Sequence, residues 1–288
     1  MMRGTGTAHS AATIVNAMAT GYGAAFGIDL KTEANITISS GQGIHIITDV
    51  DESPQLVTLC IKRFLDKFAP GEEYCVNAEL TSNIPVSRGL KSSSAACNAV
   101  LEAMKNALSV KCDILDLIRI GTAASIDCRV SLTGAFDDAC ASMLGGVVLT
   151  NNNSNELMKR KPLEEDVAVV IDIPEYQIRK PSLDRTRIKA IAPIAKIAFE
   201  KAAEGKYWEA LTLNGMCYSA AFNLDQEISI RGLCNGAAAS GLTGSGPATI
   251  LVVNKDKLDK FIENMGEHRL IVANVNNGDF NETSSQTI

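Results

Sequence analysis

Pro85-Val86-Ser87-Arg88-Gly89-Leu90-Lys91-Ser92-Ser93-Ser94-Ala95 is the stretch on which the reading of this chain turns. A glycine turn is followed by three hydroxyls that open a helix over about Ser92 to Ser109, burying Ala96, Val100, Met104 and Leu108. A helix start exposes unpaired amides and about half a unit of positive charge. Phosphate suits such a site. Gly89 lets the backbone approach closely, and Pro85 stiffens the entry. Ser92, Ser93 and Ser94 can cap the helix, donate to phosphate oxygens or ligate a phosphate-bound Mg²⁺. A capped helix after a loop is the plainer alternative, because serine is a common cap.

Two further segments carry chemistry. Thr133-Gly134-Ala135-Phe136-Asp137-Asp138-Ala139 places adjacent acids among small uncharged residues, where unpaired buried charge is costly. It reads either as an N-cap with a solvated neighbour or as an aspartate held beside a substrate hydroxyl. Gly241-Leu242-Thr243-Gly244-Ser245-Gly246-Pro247-Ala248 suits a loop closing over an anion, or a tight entry into a strand. The P-loop pattern Gly-x-x-x-x-Gly-Lys-Ser/Thr is absent. Gly21–Gly27 matches a dinucleotide loop only loosely: no strand is expected before it, and no correctly spaced acid follows it.

Around these motifs the pattern mixes short strands with alanine-rich helices. Strands are expected at Ala34–Ile38, Ile44–Thr48, Tyr74–Leu80 and Gly146–Thr150, and helices at Gln55–Phe68 and Asp113–Asp127, the latter capped by Asp113. Asn151–Glu156 reads as a loop and a domain boundary. Beyond it come a strand at Val167–Ile171 and a helical region from Asp184 to Glu204, broken or kinked at Pro193. Helices at Tyr207–Phe222, Glu227–Ala239 and Lys257–Met265, and strands at Ala248–Val253 and Leu270–Val275, complete it, with a frayed tail from Asn276. Intermixed elements without strict alternation indicate an α+β fold.

The 288 residues, 46% hydrophobic and 21% charged, suit one large domain or two ordinary ones with a proper core. A net charge of −6 with scattered basic residues argues against nucleic-acid binding. No apolar run is long enough for a membrane span, and no signal-peptide pattern opens the chain, so a cytoplasmic location is expected. The eight cysteines contain no Cys-x-x-Cys pair and read as reduced core residues rather than disulfides or a zinc site.

Taken in order, the three motifs resemble those of the GHMP kinase superfamily. Its signature is met by Pro85, Gly89, Leu90, Ser92 and Ser93, with an extra Ser94 before Ala95. Its late glycine loop matches Thr243–Ala248, and its acid motif falls on Gly134–Asp137. Three phrases, Ala12–Ala17, Arg88–Ala95 and Thr133–Ala139, look most like the archaeal-type shikimate kinases, which are unrelated in fold to the P-loop shikimate kinases. The resemblance implies an N-terminal α+β domain over 1–155 and a ferredoxin-like C-terminal domain over 156–288, with ATP between them. It implies transfer of the ATP γ-phosphoryl group to the 3-hydroxyl of shikimate, with Mg²⁺ on Ser93. Pro85, Val86, Ser87, Arg88, Gly89, Leu90, Lys91, Ser92, Ser93, Ser94 and Ala95 would hold nucleotide, joined by Thr243, Gly244, Ser245 and Gly246.

Asp137 would orient the acceptor hydroxyl, with Asp138 as the second candidate. Thr13 and Asn16 would touch substrate, and Arg179 or Arg185, in a group with Lys180 and Arg187, would anchor its carboxylate. Lys91 would offset phosphate charge. Several relatives carry a lysine in the first motif near the catalytic acid, but here none precedes Lys31. The cation beside Asp137 must therefore come from Arg3, Arg88, Lys91 or Mg²⁺. Homoserine or mevalonate kinase activity and a non-catalytic sensor on the same fold are the alternatives, and a homodimer is left open.

Overall fold

Small side chains set how the first half packs. A computed structural model of the chain describes residues 1–49, 54–86, 88–131, 133–174, 184–266 and 268–280. It opens with two long antiparallel strands, β1 (Met2–Val15) and β2 (Tyr22–Ser40), followed by β3 (Gly43–Thr48), α1 (Pro54–Phe68) and β4 (Tyr74–Ser82). Next come α2 (Ser92–Ala107), α3 (Ile114–Asp127), α4 (Phe136–Leu144), β5 (Val147–Asn151) and β6 (Glu156–Lys161). These strands make a six-stranded sheet in the order β3-β4-β2-β5-β6, with β1 added beside β2.

The alanine-rich α2 lies directly on β1. A Cβ on Gly4 would sit 2.2 Å from the Ala103 carbonyl oxygen, and one on Gly6 2.2 Å from that of Ala99. Such an approach requires the absence of side chains at Gly4 and Gly6, where β1 faces α2, and it makes β1 difficult to recognise as a strand. The dinucleotide reading fails on different grounds from those expected. A strand does precede Gly21, but the chain after it continues as a strand antiparallel to β1 instead of opening a helix.

The second half holds β7 (Val167–Asp172), α5 (Arg185–Ala190), α6 (Ala192–Ala203), α7 (Tyr207–Phe222), α8 (Glu227–Cys234), β8 (Ala239–Leu242), β9 (Thr249–Asn254), α9 (Leu258–Met265) and β10 (Leu270–Asn274). The order β10-β7-β9-β8, antiparallel throughout, is that of a ferredoxin-like β-α-β-β-α-β unit, so the molecule is α+β with two sheets. Ile191 separates α5 from α6, and Pro193 sits in the first turn of α6, where its missing N–H does no harm. The helix expected to reach Ala239 stops at Cys234, because the chain turns at Gly236 (φ 96°) into β8. β6 pairs with β5, so the chain leaves the first sheet after Lys161, and we propose the domain junction there instead of at 155/156.

Residues 276–280 are strapped down, contrary to the expected fraying. The Asn276 N–H donates to the Gly27 carbonyl and the Gly146 N–H to that of Asn276, both at 2.9 Å. Arg160 binds the Leu144 and Gly145 carbonyls at the C-terminal end of α4, where the helix dipole favours a cation. Cys60, Cys97, Cys140 and Cys217 are buried as expected, but Cys75, Cys112 and Cys128 are half-buried and Cys234 is exposed. No helix among the described residues is long and apolar enough to cross a membrane.

Candidate active site

Two helix N-termini, those of α2 and α4, are joined by a Lys91–Asp138 ion pair, and each begins on a left-handed residue. Lys91 precedes α2 with φ 65° and ψ 27°, and Ala135 precedes α4 with φ 52° and ψ 50°. A non-glycine residue there costs about 1 kcal/mol. Among the described residues no side chain caps either helix. The capping role considered for the serines and for the acids is therefore not used: Ser92 begins the helix, and Asp137 and Asp138 lie inside the first turn of α4. α3 differs, with the Asp113 carboxylate accepting the Leu115 amide at 2.9 Å, as the sequence indicates.

Lys91 joins the two helix starts. Its Nζ lies 2.9 Å from Asp138 Oδ2 and donates to Thr13 Oγ1 at 2.8 Å. Both partners of the ion pair are nearly enclosed, with side-chain exposures of 7% and 11%. Lys91 is thus the cation of the acidic pair. Arg3 is exposed on β1, and Arg88 donates to the Pro174 carbonyl. The other oxygen of Asp138, Oδ1, is buried and has no hydrogen-bond partner among the described residues.

Asp137 sits deeper, at 3% exposure. Its Oδ1 accepts from Asn152 Nδ2 at 2.8 Å, and Asn152 Oδ1 accepts from the Thr150 hydroxyl at 2.7 Å. Its Oδ2 packs on Gly23, where an added Cβ would approach to 2.4 Å. Burial, aided by the neighbouring Asp138 charge, pushes the Asp137 carboxyl up to about 7, against the opposing pull of Asn152 and Lys91. In sequence, Asn152 is one member of a turn-forming asparagine run. Its signal, a polar side chain soon after a buried strand, is too common to single it out.

The glycine loop braces the phosphate-loop segment. Thr243 Oγ1 donates to the Gly89 carbonyl at 3.2 Å, and the Ala248 N–H donates to that of Arg88 at 3.1 Å. Gly89, at φ 83°, has no room for a Cβ, which would fall 2.2 Å from the Thr243 oxygen. Thr13 and Asn16, expected to touch substrate, hold this loop. The Gly244 N–H donates to Thr13 Oγ1 at 2.9 Å, and Asn16 Nδ2 donates to the Gly244 carbonyl at 2.8 Å. The structure therefore brings Thr13, Lys91, Asp138 and Gly244 together around one ammonium group. Ser93 and Ser94 are half-buried in the first turn of α2, and Ser245 is buried in the glycine loop. Ser87 and Arg179 lie outside the described residues, as does Lys180. Pro85 and Val86 complete the approach to the helix, and Gly246 donates its N–H to the Thr243 carbonyl.

Comparison with known proteins bears on the family and the fold. The family described as the GHMP kinases N terminal domain matches residues 55–146, the span from α1 to the end of α4 and the turn after it. The shikimate kinase of Methanothrix thermoacetophila is 41% identical over 263 residues, covering 91% of this chain and 89% of that protein. That of Methanosarcina mazei is 38% identical over 284 residues, covering 96% of this chain and 95% of that protein. Among solved structures, homoserine kinase from Cytophaga hutchinsonii superposes with a TM-score of 0.74 over 96% of each chain, at 17% identity. That last likeness is one of fold.

Proposed function

The chain belongs to the shikimate kinases of the GHMP kinase superfamily, and from that premise we propose how its residues divide the work. The reaction is the ATP-dependent phosphorylation of shikimate, at its 3-hydroxyl, to shikimate 3-phosphate. Phosphoryl transfer of this kind relies on positioning and charge neutralisation more than on covalent chemistry by the protein.

The first-turn amides of α2 and the backbone of Gly89–Ala95 receive the nucleotide phosphates. Support comes from the absence of a side-chain cap among the described residues and from the brace that the glycine loop gives this segment. The Ser93 hydroxyl, half-buried in that turn, fits a hard cation that takes oxygen ligands. When bound, Mg²⁺ would offset phosphate charge there.

Asp138 orients the acceptor hydroxyl and takes its proton. The observation that carries this role is the Lys91–Asp138 pair with Asp138 Oδ1 left unpartnered among the described residues. Lys91 holds one oxygen of the carboxylate and leaves the other for a donor that the substrate can supply. Asp137, the first candidate from sequence, is already engaged by Asn152 and serves to position its neighbour. A coupled ADP-release assay across shikimate, homoserine and mevalonate tests the acceptor. ADP release with shikimate alone is expected; release with either of the others instead would overturn it.

A further inference from the structure

A cleft of about 220 Å³ is lined by Met18, Thr133, Arg185, Ile188 and Lys189. We propose that it is the acceptor pocket, in which Arg185 and Lys189 clasp the shikimate carboxylate while Met18 and Ile188 flank the ring. This inference rests on the kinase reading above and adds the residues that select the acceptor. Its chemistry is distinctive: among the described residues, two cations and a hydroxyl line a space whose remaining walls are aliphatic, with no acid among them. Such a lining fits a small organic anion with an apolar body.

The cations are available. Arg185 and Lys189 lie one turn apart on α5, both exposed, with no hydrogen bond or ion pair among the described residues. Their neighbours are not available. Arg187 donates to the Ala220 carbonyl at 2.6 Å, and the Asp184 carboxylate accepts the Thr186 and Arg187 amides. Of the basic residues flanking this segment in sequence, Arg185 is the described arginine that remains, and Lys189 was not anticipated.

The walls tie the cleft to the reacting groups. Thr133 stands four residues before Asp137 on the acid loop, and its hydroxyl oxygen accepts the Ala135 amide at 3.3 Å. The Met18 N–H donates to Asn16 Oδ1, and Asn16 in turn holds Gly244 of the glycine loop. Ile188 and Met18 pack with Tyr218, whose hydroxyl donates to the Asn16 carbonyl at 3.0 Å. The Asp137 charge reaches that same tyrosine and helps raise its phenol, although burial does most of this. Through Thr133 the cleft is tied to the loop that carries the acidic pair.

The test compares wild type with Arg185→Ala, Lys189→Ala and the double variant, using shikimate and its methyl ester. Each single change is expected to raise KM for shikimate about tenfold, and the double about 100-fold, at nearly constant kcat. KM for ATP should stay put. Lys189→Arg should keep most of the affinity, since the charge is retained. Wild type should prefer the free acid to the ester, and the double variant should lose that preference. Unchanged KM for shikimate, or a rise in KM for ATP instead, would overturn the cleft assignment while leaving the kinase activity standing. A wild type silent on shikimate would remove the premise itself, and this pocket with it.

Discussion

The starts of α2 and α4 share one backbone device and carry opposite chemistry. Both follow a left-handed non-glycine residue, and neither has a side-chain cap among the described residues. One offers amides and hydroxyls; the other places two carboxylates in its first turn. A helix N-terminus stabilises either arrangement, because its partial positive charge attracts bound anions and acidic side chains alike. What differs is where the negative charge originates. At α2 we propose that it arrives with the nucleotide, whereas at α4 it belongs to the protein and must be compensated permanently. Lys91, at the head of the first helix and paired with an acid of the second, supplies that compensation.

The most damaging way to break the comparison is to neutralise the acid that Lys91 holds. Asp138→Asn is expected to lower turnover by about 10²–10⁴ with the fold and ATP binding retained. Asp137→Asn should cost clearly less, because that carboxylate faces Asn152 and Gly23. Single-turnover kinetics on both variants decide the matter, and the reverse ranking would return the base role to Asp137.

Removing the cation comes next. Lys91→Met leaves a carboxylate buried without its partner, which is expected to destabilise the protein by about 3–5 kcal/mol. Relief of the left-handed backbone does not enter, since methionine is no more at ease there than lysine. Adding Asp138→Asn to Lys91→Met should recover part of the loss, because the uncompensated charge disappears. Urea denaturation of the two singles and the double measures the coupling, and additive effects would mean that the pair contributes little.

A smaller effect sharpens the contrast between the two acids. Burial holds the proton on Asp137 up to about pH 7, whereas the unfolded chain releases it near 3.8. The folded state therefore binds the extra proton, and stability falls as pH rises between those values. Asn152→Ala removes a bond that favours the ionised carboxylate, so this fall should extend to higher pH, and Asp137→Asn should flatten it. Melting temperatures from pH 4 to pH 8 measure the slopes. Equal slopes in all three proteins would show that Asp137 does not titrate in this range.

These residues also mark how much could be read from the chain. The phosphate-loop helix was legible because its capping-type residues, its glycine turn and its apolar spacing agree. The acidic pair was legible as unusual, but its division of labour was not. That division depends on Asn152, Gly23 and Lys91, which are distant in sequence and meet only through the sheet. β1 went unseen because its contact with α2 demands glycine and alanine at Gly4, Gly6 and Ala8, which erases the β-branched alternation that announces a strand. Thr13 and Asn16 were legible as important, but their hydrogen bonds to Gly244 were not, since a polar side chain does not reveal which distant loop it holds.

α3 supplies the control that the first two helices need. Its start is an ordinary one, with Asp113 in an extended conformation and its carboxylate on the Leu115 amide. Asp113→Ala is expected to cost about 1 kcal/mol of stability, the usual worth of an N-cap, and to leave kcat and both KM values unchanged. Denaturation and steady-state kinetics on one preparation provide both numbers. If activity fell with stability here, the losses at Lys91 and Asp138 could be explained by loosened helices alone. If only stability falls, the uncapped starts of α2 and α4 are set apart as sites where capping has given way to chemistry.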